Sequence, residues 1–199
     1  MLAPLIRAVP GLPLLAAIAL AATGMLPALL GAAVPAAQVW GLRIAALLLG
    51  AGASFAMVDP MAPVTVTATP RWLRQWLRFT IVAVPAGLVW AGLCLLAVAA
   101  MPLDRPPLPV AGLAIEAAVC VLGGLTGAAV ASRAGSSATT APAGPAFQAA
   151  LVVATFFLPG RWSPWALPGA ATWTAVHLGW WAALPVLVAV LAAANREAR

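Results

Sequence analysis

Long apolar runs, broken mainly by proline, glycine and arginine, constrain this chain more than any other feature. With 64% hydrophobic and 7% charged residues over 199 positions, it carries more apolar surface than a soluble domain of that size can hide. Lipid must cover the remainder. A bilayer offers the backbone no water to bond, so a spanning segment satisfies its own polar groups as a helix. Such a helix needs roughly 20 mostly apolar residues. The sequence holds about six stretches of that kind, and little is left over. The reading is an all-α polytopic integral membrane protein forming one transmembrane domain over 1–199. Its spans fall at about 8–32, 37–57, 79–101, 110–131, 146–158 and 171–194.

The first run exceeds the 7–15-residue apolar core of a secretory signal, so it is expected to be a retained span. The fifth is short for a full crossing and is read as one that tilts little, extends into the preceding loop or is partly re-entrant. Residues 132–145, rich in Ser, Thr, Gly, Ala and Pro, read as a flexible loop. A tryptophan-rich stretch at 161–171 precedes the last span.

The net charge of +6 comes without a single lysine. In a soluble protein that balance would suggest nucleic acid. Here the arginines sit at the ends of apolar runs and report topology and contact with anionic lipid; no nucleic-acid partner is expected. Placing the N-terminus inside puts Arg7, Arg71, Arg74, Arg78, Arg133, Arg196 and Arg199 on the cytoplasmic side, and only Arg43, Arg105 and Arg161 toward the outside. Both termini are therefore expected in the cytoplasm of a bacterial cell whose inner membrane the chain crosses. The richness in Ala, Arg, Gly and Pro fits a GC-rich bacterial genome.

The segment Pro70-Arg-Trp-Leu-Arg-Gln-Trp-Leu-Arg78 has helical periodicity. Arg71, Arg74, Gln75 and Arg78 share one face, while Trp72, Leu73, Trp76 and Leu77 share the other. Thr69 can cap it, with Pro70 at the first position. Asp59-Pro60 can start a second short helix in the same way. Together they make 58–78 a structured cytoplasmic elbow, with an amphipathic interfacial helix at its end. Asp59, Arg71, Arg74 and Arg78 are its candidate partner-docking residues, beside their plainer role as positive-inside anchors.

Arg43 and Glu116 are the charges most clearly inside spans, each roughly 9 Å below the outer end of its helix at 1.5 Å per residue. A charge at membrane depth is costly unless paired. They are expected to face the bundle interior as an ion pair; alternatively Glu116 binds a cation or proton along a pathway, or both snorkel outward. His177, with Trp173 and Trp180, opens the last span and is read as an interfacial hydrogen-bonding residue. Gly123 and Gly127, four apart, permit close helix approach. Cys94 and Cys120 lie within spans and behave as small apolar side chains. No metal site, cofactor site, phosphate-binding loop or hydrolase signature is legible, and no enzymatic activity is expected.

Two stretches carry a family resemblance. Phe55-Ala-Met-Val-Asp-Pro-Met-Ala-Pro, followed by Thr69-Pro-Arg-Trp, and Trp173-x-x-x-His177-x-x-Trp180 resemble the first cytoplasmic loop and last span of small six-span permease subunits of actinobacterial exporter-type ABC transporters. Val58 and Leu178 stand where that family often has an acid and an arginine. The resemblance implies a permease energised by a separate cytoplasmic ATPase, working with a second copy or homologue, and coupled through the elbow 58–78. Composition alone leaves two other readings: a non-catalytic accessory or assembly subunit of a larger membrane complex, and a stand-alone secondary carrier or channel.

Overall fold

The computed structural model describes residues 10–30, 35–58, 70–134 and 141–196, and they are all-α. Six helices follow one another: α1 (Leu12–Leu29), α2 (Pro35–Ser54), α3 (Arg71–Ala99), α4 (Val110–Ala134), α5 (Ala143–Phe156) and α6 (Trp173–Asn195). Short 3-10 turns extend α2 at Phe55–Met57 and follow α5 at Gly160–Trp162. Five of the six are long and apolar enough to cross a membrane; α5 is not. Its 14 residues reach only about 21 Å, against a hydrocarbon core of roughly 30 Å. Asp59 and the rest of the elbow up to residue 69 lie outside the described residues, as do Arg7 and Arg199.

Helices α2 and α4 form the centre of the bundle, with 61% and 67% of their apolar windows buried. The peripheral helices α1, α3 and α6 bury 28%, 33% and 17%, and turn exposed leucines and valines such as Leu88, Leu95 and Val186 outward. Glycine makes the central contact possible. A Cβ on Gly124 would stand 2.6 Å from the carbonyl oxygen of Gly50, and one on Gly50 would stand 2.8 Å from that of Cys120. Only two bare backbones pack this closely. The glycines at 123 and 127 instead seat Phe147 of α5.

Contacts at both ends fix the helix directions. Gly52, near the end of α2, lies against Pro13 and Ala17 near the start of α1, so these two run antiparallel. Arg78, early in α3, bonds the carbonyls of Ala56 and Val58 at the end of α2. Late in α3, the carbonyl of Ala97 accepts from Gln38, early in α2. By contrast α4 and α6 are parallel: Gly112 faces Trp173 and His177 at one end, and Arg133 donates to the Arg196 carbonyl at the other (2.9 Å). The chain must therefore return across the bundle between 134 and 173. That passage combines the short α5 with the irregular segment 157–172, which makes it a broken crossing. Residues 10 and 196 consequently lie at the same end of the bundle, together with Arg71, Arg78 and Arg133.

The helix expected at 71–78 is not separate from the third span. It is the uninterrupted start of α3, a single helix of 29 residues. No proline or glycine occurs from Arg71 to Val84, so nothing kinks the helix where the amphipathic segment passes into the apolar one. At 1.5 Å per residue α3 is about 43 Å long, exceeding the hydrocarbon by roughly two turns. Those extra turns are Arg71–Arg78.

Candidate functional site

A buried polar cluster assembles where three parallel helices begin. Arg43 lies about 12 Å along α2, Glu116 about 9 Å along α4 and His177 about 6 Å along α6, counted from each helix start at 1.5 Å per residue. Because these helices start at the same end, their polar side chains meet at one depth. The Arg43 guanidinium grips the Glu116 carboxylate at two points: Nε donates to Oε2 at 2.6 Å and Nη2 to Oε1 at 2.8 Å. Two-point ion pairs of this kind are short and directionally strict. The arginine and glutamate side chains are 1% and 2% exposed. The structure therefore brings the two sequence-predicted charges together in the interior and excludes outward snorkelling.

Arg43 does more than pair. Its Nη1 donates to the Trp165 carbonyl at 3.2 Å, and Nη2 also donates to that of Ala166 at 2.6 Å. Both acceptors belong to the segment 157–172, which is irregular apart from one 3-10 turn at Gly160–Trp162, and both lie beyond that turn. Non-helical backbone at membrane depth is tolerated only where protein groups bond it, and Arg43 supplies two of those bonds. Trp40 and Trp165 stack their rings toward the guanidinium carbon at 5.2 and 5.7 Å, a range in which the ring faces attract a cation. Four of the five guanidinium N–H groups are thereby used, counting the bonds to Glu116, Trp165 and Ala166.

His177 stands behind the carboxylate. Its Nδ1 lies 2.8 Å from the Trp173 carbonyl, one turn earlier in α6. A carbonyl only accepts, so Nδ1 carries the hydrogen. Nε2 then faces Glu116 Oε1 at 3.2 Å, out of line for a hydrogen bond. Gly112 makes room for it, since a Cβ there would stand 2.8 Å from Nε2. His177 and Trp180 are 7% and 8% exposed, so both side chains pack inside the protein, and each makes a hydrogen bond near the start of α6. Positions 173, 177 and 180 recur at helical spacing and share the face that α6 turns inward. Trp180 Nε1 bonds the Pro164 carbonyl at 3.1 Å.

The arginines of the elbow are placed differently from their expected docking face. Arg74 and Arg78 are buried at 6% and 1% exposure, with Gln75 at 4% between them. Trp72 and Leu73 are exposed at 48% and 36%. The amphipathic pattern is real, but its polar face turns into the protein, because carbonyls at the end of α2 need donors there. Arg78 Nη1 bonds Val58 at 2.5 Å and Ala56 at 3.2 Å. Of the described candidates only Arg71 remains partly exposed, and it bonds Ser132 Oγ at 3.2 Å.

Sequence reasoning missed Trp40, Ala166 and Gln148, and read Trp165 only as part of the tryptophan-rich stretch. Gln148 Nε2 bonds the Cys120 carbonyl at 2.6 Å and so ties α5 to the centre of α4. Its signal was available: one amide in the run 146–158, where Thr155 is the only other polar side chain. The carbonyls at 165 and 166 had none, because backbone acceptors carry no residue type. Among the described residues no group of three His, Cys, Asp or Glu could hold a metal ion. The cluster is chemically an electrostatic clamp joining α2, α4, α6 and the segment 157–172. Comparison with known proteins finds no matching family model, curated protein or solved structure.

Proposed function

We propose that the chain is the membrane-spanning permease subunit of an ABC-type transporter, energised by a separate ATPase that docks on the elbow 58–78. It works in a bacterial inner membrane with both termini cytoplasmic, alongside a second copy or homologue. One observation carries the reading: Arg78 on α3 bonds the carbonyls of Ala56 and Val58 at the end of α2. The two ends of the elbow are thus fastened to each other. A load applied between them moves α2 and α3 as one body. Helix α2 is also the helix whose far part carries Arg43, so displacement of the elbow reaches the clamp with Glu116.

A second reading, a non-catalytic accessory or assembly subunit, draws on the neutralised charge of the clamp. Each oxygen of Glu116 accepts one bond from Arg43, and the guanidinium neutralises the charge that would attract a cargo cation. The same fact weighs against a stand-alone carrier that uses Glu116 as its ion site. Gentle purification from the native membrane discriminates between them. A co-purifying ATPase that is lost on Asp59→Arg or Arg71→Glu, in variants that keep their thermal stability, supports the permease. A stable larger complex without an ATPase supports the accessory subunit and rules out the permease.

A further inference from the structure

Helices α4, α5 and α6 enclose an apolar groove of about 770 Å³. Its floor is Val119 and Gly123 of α4, one wall is Leu151 and Thr155 of α5, and the other runs from Ala175 to Leu187 on α6. The groove opens sideways, where Leu151 and Val186 are 45% and 60% exposed. We propose that it is a lipid-tail site, occupied by one acyl chain of a phospholipid from the leaflet on the Trp173 side.

Chemistry fixes the class of occupant. Two polar side-chain groups at the rim are already committed: Thr155 Oγ1 donates to the Val152 carbonyl (2.5 Å) and accepts from Trp165 Nε1 (2.9 Å). Trp180 Nε1 donates to Pro164. Thr155, Trp165 and Trp180 thus offer a polar ligand no spare donor, and water does not fill an apolar cavity of this kind. The occupant is hydrocarbon or an apolar side-chain surface.

Shape separates those two. The outer end of the groove is roofed by the segment crossing from α5 to α6, and the roof is pinned to both walls. Trp165 fastens it to Thr155 of α5, and Pro164 fastens it to Trp180 of α6. A helix from another chain would have to continue through this roof to span the membrane. The groove runs about 18 Å along α6, from 175 to 187 at 1.5 Å per residue. That matches one leaflet of hydrocarbon, about half of the roughly 30 Å core, and falls short of a full crossing. Trp162, 65% exposed at the rim, sits where an indole meets headgroups. The tail would touch Trp165, whose ring also faces Arg43, so occupancy buttresses the clamp from its lipid side.

The test reconstitutes the full chain in phosphatidylcholine vesicles containing a lipid with a mid-chain diazirine, irradiates, and maps adducts by mass spectrometry. Adducts on 151–158 and 176–187 are expected to exceed those on the lipid-facing stretch 88–96 of α3 severalfold. Gly179→Leu should abolish that excess without changing labelling of α3, because a Cβ at Gly179 meets no protein atom within 4 Å. Leu151→Trp, filling from the opposite wall, should do the same. Equal labelling of groove and α3, or an excess that survives both fillings, overturns the proposal. So does a groove free of adducts whose Gly179→Cys variant forms disulfides between copies, since that places a second chain there.

Discussion

Arg43 and Glu116 meet in the interior of the bundle through two hydrogen bonds, 2.6 and 2.8 Å long, and the same guanidinium holds the carbonyls of Trp165 and Ala166. One side chain thus joins a helix pair to a stretch of chain that has no α-helix of its own. The fold needs this, because the fifth passage is broken. Helix α5 stops short, and its continuation crosses the remaining depth as irregular backbone bonded by side chains.

Gly112→Ala is expected to destabilise the protein by about 1–3 kcal/mol through overpacking. The added methyl would lie 2.8 Å from both His177 Nε2 and the Trp173 ring. Thermal unfolding in detergent can be followed by thiol labelling, since Cys94 and Cys120 are both buried in the folded chain. An unchanged transition would mean that α4 and α6 are not in close contact at this end.

Gly124→Ala probes the central crossing. Its Cβ would approach the Gly50 carbonyl to 2.6 Å, and backbone cannot step aside as a side-chain tip can. A loss at the upper end of about 1–3 kcal/mol or more is expected. Gly87→Ala, where a Cβ meets nothing within 4 Å, should be near neutral in the same assay.

Arg78→Met should release the end of α2. The carbonyls of Ala56 and Val58 lose a charged donor, at a cost of about 1.5–3 kcal/mol. Hydrogen exchange should rise in the peptide covering 53–58 and stay unchanged in the one covering 113–121. Exchange that is equal in both would place the elbow's ends apart.

Topology is tested in intact cells by single cysteines on a background lacking Cys94 and Cys120. Asp104→Cys should react with an impermeant maleimide from outside, and Arg196→Cys only after permeabilisation. The positive-inside rule predicts this sidedness, whereas the fold fixes only that residues 10 and 196 share one end.

The helices and the charged pair were legible in the sequence for one reason. Long apolar runs have few physical solutions, and two isolated opposite charges within them have fewer. Arg43 and Glu116 could be matched because both sat at similar depth from the same end. Placement on a helix face was harder to read. The periodicity of 71–78 was correct, yet which face turned inward depended on unsatisfied carbonyls at 56 and 58, which no residue type announces. Likewise His177 and Trp180 look interfacial by depth alone. Their burial follows from α4 presenting Gly112 opposite, and from the segment 157–172 folding over them.

The double-mutant cycle at Arg43 and Glu116 tests the account most directly. Arg43→Leu or Glu116→Leu alone should each cost about 3–5 kcal/mol, because each leaves a buried charge uncompensated. The double variant should cost far less than the sum of the two, read from thiol-labelling melts in detergent. Losses that add to within about 0.5 kcal/mol would show that the two residues stand apart, and the clamp would not exist.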